Sequence, residues 1–65
     1  MLSALRLKRL ESGLTQIALS FKSEVPSSYI SLHERGYPVL KPVHKERLAK
    51  ALGVTVRELF SDRIR

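Results

Sequence analysis

Residues 13–36 read GLTQIALSFKSEVPSSYISLHERG. Two short runs of helix-forming pattern meet at a break inside this stretch, and the reading of that break decides the fold. Thr15 carries the hydroxyl of an N-cap, and Leu14 and Leu19 stand at the N′ and N4 positions of a hydrophobic staple. A helix is therefore expected from Gln16 to about Lys22, with Ile17, Ala18 and Phe21 available for packing. Ser23, Glu24, Val25 and Pro26 then form a break, because proline suits a helix start and disfavours helix in the residue before it. The next helix begins near Pro26 or Ser27 and runs to Arg35, where Gly36 ends it. Two helices this short, joined this tightly, predict a helix-turn-helix over about residues 15–36.

The flanks extend the same pattern. From Ser3 to Ser12, Leu7, Leu10 and Leu14 recur at intervals of three and four between Arg6, Lys8, Arg9 and Glu11, a one-sided helix with Gly13 as its stop. Residues 37–42, YPVLKP, are bracketed by prolines and predict a loop. From Val43 to Leu52 the helical spacing resumes, with His44, Leu48 and Leu52 at i, i+4 and i+8, Ala51 beside them, and Gly53 at the C-terminal cap. Thr55 and Glu58 make a capping box, and Val54 with Leu59 a second staple. The last helix is expected from Val56 to about Asp62, anchored by Leu59 and Phe60. The expectation is an all-α, compact five-helix fold, with residues 1–65 as one domain. Helices this brief gain most of their stability from mutual packing.

Composition narrows the function. Twelve Lys and Arg against six Asp and Glu give a net charge of +6 on 65 residues, which favours polyanionic partners through phosphate neutralisation and counterion release. Cysteine is absent, so disulfides and thiolate metal ligands are excluded. His33 and His44 lack further ligands, so neither a metal nor another cofactor is expected. No apolar run is long enough to cross a bilayer, and the opening MLSALRLKRLE lacks the separate regions of a signal peptide, so the expected location is the cytoplasm. An acidic pair, a nucleophile beside a base and a glycine-rich phosphate loop are all missing from the sequence, and an enzyme is not expected.

LKRL at 7–10, GLTQ at 13–16, Leu19, SSYIS at 27–31, ERG at 34–36 and LAKALGVTVRELF at 48–60 occur in one order. Together they resemble the Cro/C1-type (lambda repressor-like) helix-turn-helix family from Leu5 to Phe60. The resemblance implies that the helix after the turn reads the major groove of double-stranded DNA, with Ser27, Ser28 and Leu32 facing the bases. It implies that Gln16 touches the DNA backbone and braces the reading helix. It also implies that Arg9 and Glu34 form a structural ion pair, and that Tyr37 to Lys41 runs beside the phosphates. Lys22, Arg35 and Lys41 are the expected phosphate-binding cations, clustered on the binding side, while Tyr29 is expected to pack against the second helix with its hydroxyl reaching the backbone. Lys45, Arg47 and Lys50 read as a solvated face. A homodimer on a palindromic operator follows from the same resemblance.

Five positions depart from the family pattern. Ser23 and Glu24 stand where leucine and glycine are usual, so the turn lacks its most permissive residue. Pro26 replaces a hydroxyl cap, His33 replaces a core aliphatic residue, and Leu32 replaces an outward polar one. Two functional readings result. The first is a small transcriptional regulator that represses by occupying an operator; the second is a protein-interaction module whose apolar surface centres on Leu32. A nucleic-acid binder with little sequence preference is a third.

Overall fold

Each described helix except the third begins where a side chain or a proline deals with its free amides. In the computed structural model, which describes residues 3–60, Ser3 Oγ accepts the Arg6 amide at 3.0 Å and starts α1, Ala4–Glu11. Thr15 Oγ1 accepts the Ala18 amide at 3.0 Å and starts α2, Gln16–Ser23. The third helix, α3, Ser27–Glu34, follows Pro26 without a side-chain cap. Pro42 opens α4, Pro42–Leu52, one residue earlier than expected, because its fixed φ suits a first helical position. A reciprocal capping box then starts α5, Val56–Phe60: the Glu58 amide donates to Thr55 Oγ1 at 3.0 Å and the Thr55 amide to Glu58 Oε1 at 2.9 Å. The expected extension of this helix to Asp62 lies outside the described residues.

The buried faces of α1 and α2 differ from those the leucine spacing suggests. In α1, Leu5 and Arg9 are buried, whereas Leu7 and Leu10 are about half exposed. Of the leucines at 7, 10 and 14, only Leu14 packs against the core. In α2, Leu19 and Ser23 form the inner stripe; Ile17 and Phe21 point outward, with Phe21 81% exposed. The physical reason is the same in both helices. A polar residue whose groups are satisfied occupies one inner position, so apolarity alone misplaces the stripe.

The turn is shorter than the expected four residues. Ser23 still belongs to α2: its hydroxyl donates to the Leu19 carbonyl at 2.7 Å and accepts the Val25 amide at 3.3 Å, which satisfies a buried polar group on both sides. Val25 is fully buried and part of the core rather than of the break. Glu24 takes the left-handed conformation, φ 63°, at the position where the family pattern has glycine, and is the sole non-glycine with positive φ among the described residues. That conformation costs a side-chain-bearing residue roughly 1–2 kcal/mol. Glycine would relieve it but add roughly 0.5–1 kcal/mol of backbone entropy to be lost on folding. Glu24→Gly is therefore expected to stabilise the fold by about 0.5–1 kcal/mol, read as a higher urea midpoint; a lower midpoint would show that the Glu24 side chain compensates for the strain.

Leu5, Leu19, Val25, Ile30, Leu48, Ala49, Leu52 and Leu59 make one core, with Leu14, Leu40, Val54 and Phe60 packed against it. Helix α2 lies against α3 and α4, and α5 against α1 and α4. The result is an all-α, five-helix, lambda repressor-like fold with a central helix-turn-helix.

Candidate nucleic-acid interface

The third helix has one side in the protein and one outside it. Ile30 is fully buried, and Glu34 continues that side one turn later. Ser28, Leu32 and Arg35, at i, i+4 and i+7, make the opposite stripe. Ser28 and Arg35 are exposed; Ser27 and Leu32 are half-buried. The Pro26 carbonyl accepts the Tyr29 amide at 3.0 Å and the Ile30 amide at 3.3 Å. The amides and hydroxyls of Ser27 and Ser28 have no hydrogen-bond partner among the described residues. These serines do not cap their own helix, and the donors at its start are left for another acceptor.

What fixes the direction of α3 is a buried charged cluster. Arg9 donates from Nε to Glu34 Oε2 at 2.8 Å and from Nη2 to Oε1 at 3.0 Å, while Nη1 donates to the Leu14 carbonyl at 2.8 Å. The side chains are 8% and 3% exposed. Gln16 Nε2 adds a fourth bond, to Glu34 Oε1 at 3.0 Å. One guanidinium thus ties α1 to the start of α2 and the end of α3, with planar bidentate geometry that lysine cannot supply. Gln16 uses one amide hydrogen on Glu34 and keeps the other, so it can brace α3 and still donate to an outside anion.

Burial alone would raise the Glu34 carboxyl, but hydrogen bonds from Arg9 and Gln16, together with the charges of Arg9 and Arg6, outweigh it and hold the group below the ordinary glutamate value of 4.5. Glu58 is likewise lowered, chiefly by the Thr55 amide. A carboxyl lowered by folding adds stability that is fully present above its unfolded value and disappears as pH falls through its folded one. The melting temperature is therefore expected to hold down to about pH 4.5 and to fall below it. Glu34→Gln should flatten that acid limb, whereas an unchanged limb would remove Glu34 from the account.

The aromatic side of α3 faces the other helices. The Tyr29 ring meets His44 of α4 edge-on at 5.1 Å, a contact with α4 that the sequence did not indicate. His33 meets Phe60 edge-on at 5.3 Å, and Lys45 lies over the same Phe60 ring at 5.5 Å, which ties Lys45 to the fold. His44 has a second role: its Nδ1 accepts the Lys41 amide at 3.1 Å and fixes the end of the loop before α4. This residue was missed as a positioning group. Its signal was present, since Lys41 and His44 stand at N-cap and N3, with imidazole in place of the usual glutamate.

Arg35 and Lys41 are exposed, one after the end of α3 and one at the end of the loop that follows. Lys22 borders a depression with Arg47 and Lys50 at the seam of α2 and α4. No group of His, Cys, Asp or Glu suited to a metal ion is found among the described residues, and no helix there is long and apolar enough to cross a membrane.

An outward helix, clamped by a buried ion pair behind a tight turn, defines a helix-turn-helix domain of the DNA-binding, regulatory class. Residues 5–59 match the family described as helix-turn-helix, and the chain belongs to it. No curated protein and no solved structure matches the chain significantly.

Proposed function

We propose that the chain is a Cro/C1-type transcriptional regulator that binds double-stranded DNA with sequence preference and represses by occupying an operator. The observation that carries this reading is the stripe of Ser28, Leu32 and Arg35, held outward by the Glu34 clamp on the opposite side of α3. Ser27 and Ser28 donate to base edges, and Leu32 lies against a thymine methyl. Serine discriminates less sharply than a bidentate arginine, so DNA shape and the spacing of two half-sites add to the preference. Gln16, Arg35 and Lys41 contact the backbone, and the Tyr29 hydroxyl joins them from a ring seated on His44. A homodimer places two such helices about one helical turn apart on a palindromic operator.

The alternative of a protein-interaction surface centred on Leu32 has less support, since that side chain is half-buried rather than a projecting apolar tip. Selection of the purified chain on random duplex DNA separates the two readings: a recovered palindrome supports the regulator, and no enriched sequence supports the alternative. On the selected site, Lys41→Ala is expected to weaken all duplexes alike and to lower the salt slope by about 1 per phosphate lost. Ser28→Ala is expected to change preference among duplexes. Equal and uniform losses from both substitutions would remove Ser28 from the base-reading set.

A further inference from the structure

The outer face of α2 exposes what a helix of a small domain ordinarily hides. Ile17 and Phe21 stand one turn apart, 57% and 81% exposed, and Phe21 is the most exposed large apolar side chain among the described residues. The core stripe of this helix is already filled by Leu19 and Ser23, so folding gives Phe21 no role. Next to it along the chain is Lys22, which with Arg47 and Lys50 of α4 borders an open depression of ≈ 460 Å³. None of these three cations has an ion-pair partner among the described residues. Glu24 stands on the same rim. The cationic depression is separate from the α3 stripe: Gln16 marks the edge of α2 that meets α3, and Lys22, on the α4 edge, lies about 240° round the exposed side of the helix, with Ile17 and Phe21 between them at 3.6 residues per turn.

We propose that this face docks an acidic amphipathic segment of a partner protein, with apolar side chains on Ile17 and Phe21 and carboxylates on Lys22, Arg47 and Lys50. A one-turn aliphatic–aromatic ridge matches the i, i+4 anchors of a bound helix. The charges exclude a second copy as the occupant. Self-pairing across a two-fold would set each cationic depression against its own image in a chain already carrying +6. Glu24 argues against a nucleic-acid strand, whose backbone is uniformly anionic, and suits a polypeptide that also offers a cation or an amide. The proposal does not depend on whether α3 reads DNA.

The test begins with display selection of random helix-length peptides on the whole chain, followed by titration of a selected peptide against the wild type and variants. The expected peptides combine several Asp or Glu with apolar residues at i, i+4. Their binding falls about tenfold or more in Phe21→Ala and in Arg47→Glu, weakens with salt, and is unchanged in Arg35→Ala. Backbone chemical shifts of the unaltered chain are expected to move on α2 and α4, a readout independent of any variant. Failure to enrich peptides, or enriched peptides indifferent to both substitutions, would overturn the proposal. So would a labelled single-stranded oligonucleotide bound through the same residues, or a sedimenting dimer lost in Phe21→Ala.

Discussion

Glu34→Ala is expected to destabilise the fold by about 3–5 kcal/mol, because it leaves the Arg9 guanidinium buried without its counter-charge. Arg9 is 8% exposed on its side chain, and two of its three hydrogen bonds go to Glu34. Gln16 loses its partner in the same step. A domain of this size commands roughly 3–10 kcal/mol in all at the usual 0.05–0.15 kcal/mol per residue, so the variant is expected to lose about a third or more of its stability. Replacing both partners with apolar residues, Arg9→Met with Glu34→Leu, removes the stranded charge and is expected to restore much of the stability. Urea unfolding followed by circular dichroism measures all three proteins. A cost below about 1 kcal/mol for Glu34→Ala would place the pair with exposed salt bridges and take away the clamp on α3.

The second large effect concerns DNA. Arg35→Ala combined with Lys41→Ala removes two phosphate-binding cations from each protomer and four from the proposed homodimer. At about 0.9 in log–log salt slope per phosphate, four contacts account for a slope change of about 3.6 and an affinity loss on the order of 10³-fold near 0.1 M salt. Both positions are exposed, so folding should be unaffected. The loss should be the same on selected and scrambled duplexes, because phosphate contacts carry no sequence information. Lys22→Ala, on the seam with Arg47 and Lys50, is expected to change duplex affinity far less.

How much of this was legible in the sequence depends on how local the physics is. The caps at Thr15, Gly53 and Thr55–Glu58 were readable, because each is decided by residues within one turn. The inner faces of α1 and α2 were not. Eight-residue helices give two turns over which to judge a period, and Arg9 and Ser23 each occupy an inner position. Ile17 and Phe21 then drew the apparent apolar face outward. At the site, the pairing of Arg9 with Glu34 and the bracing role of Gln16 came from the family resemblance, since no spacing rule links residues on three helices. The Leu14 carbonyl as the second partner of Arg9, and the grouping of Lys22 with Arg47 and Lys50, arise only when the helices pack.

The left-handed Glu24 is the most informative departure. The glycine expected at that turn is missing, yet the turn keeps the backbone conformation glycine would allow. Ser23 helps by bonding both sides of the corner, and Val25 holds it down as a buried core residue. Tertiary packing therefore overrides a local preference worth roughly 1–2 kcal/mol, and the helix-turn-helix geometry survives an unfavourable sequence.

The most direct test of DNA reading by α3 is a salt titration of duplex affinity on the sequence recovered by selection. With four cations of the homodimer on phosphates, log K is expected to fall with log salt at a slope of about −3.6 or steeper, and a scrambled duplex should bind more weakly at every salt concentration. Absence of duplex binding at low salt by a folded chain would contradict the account.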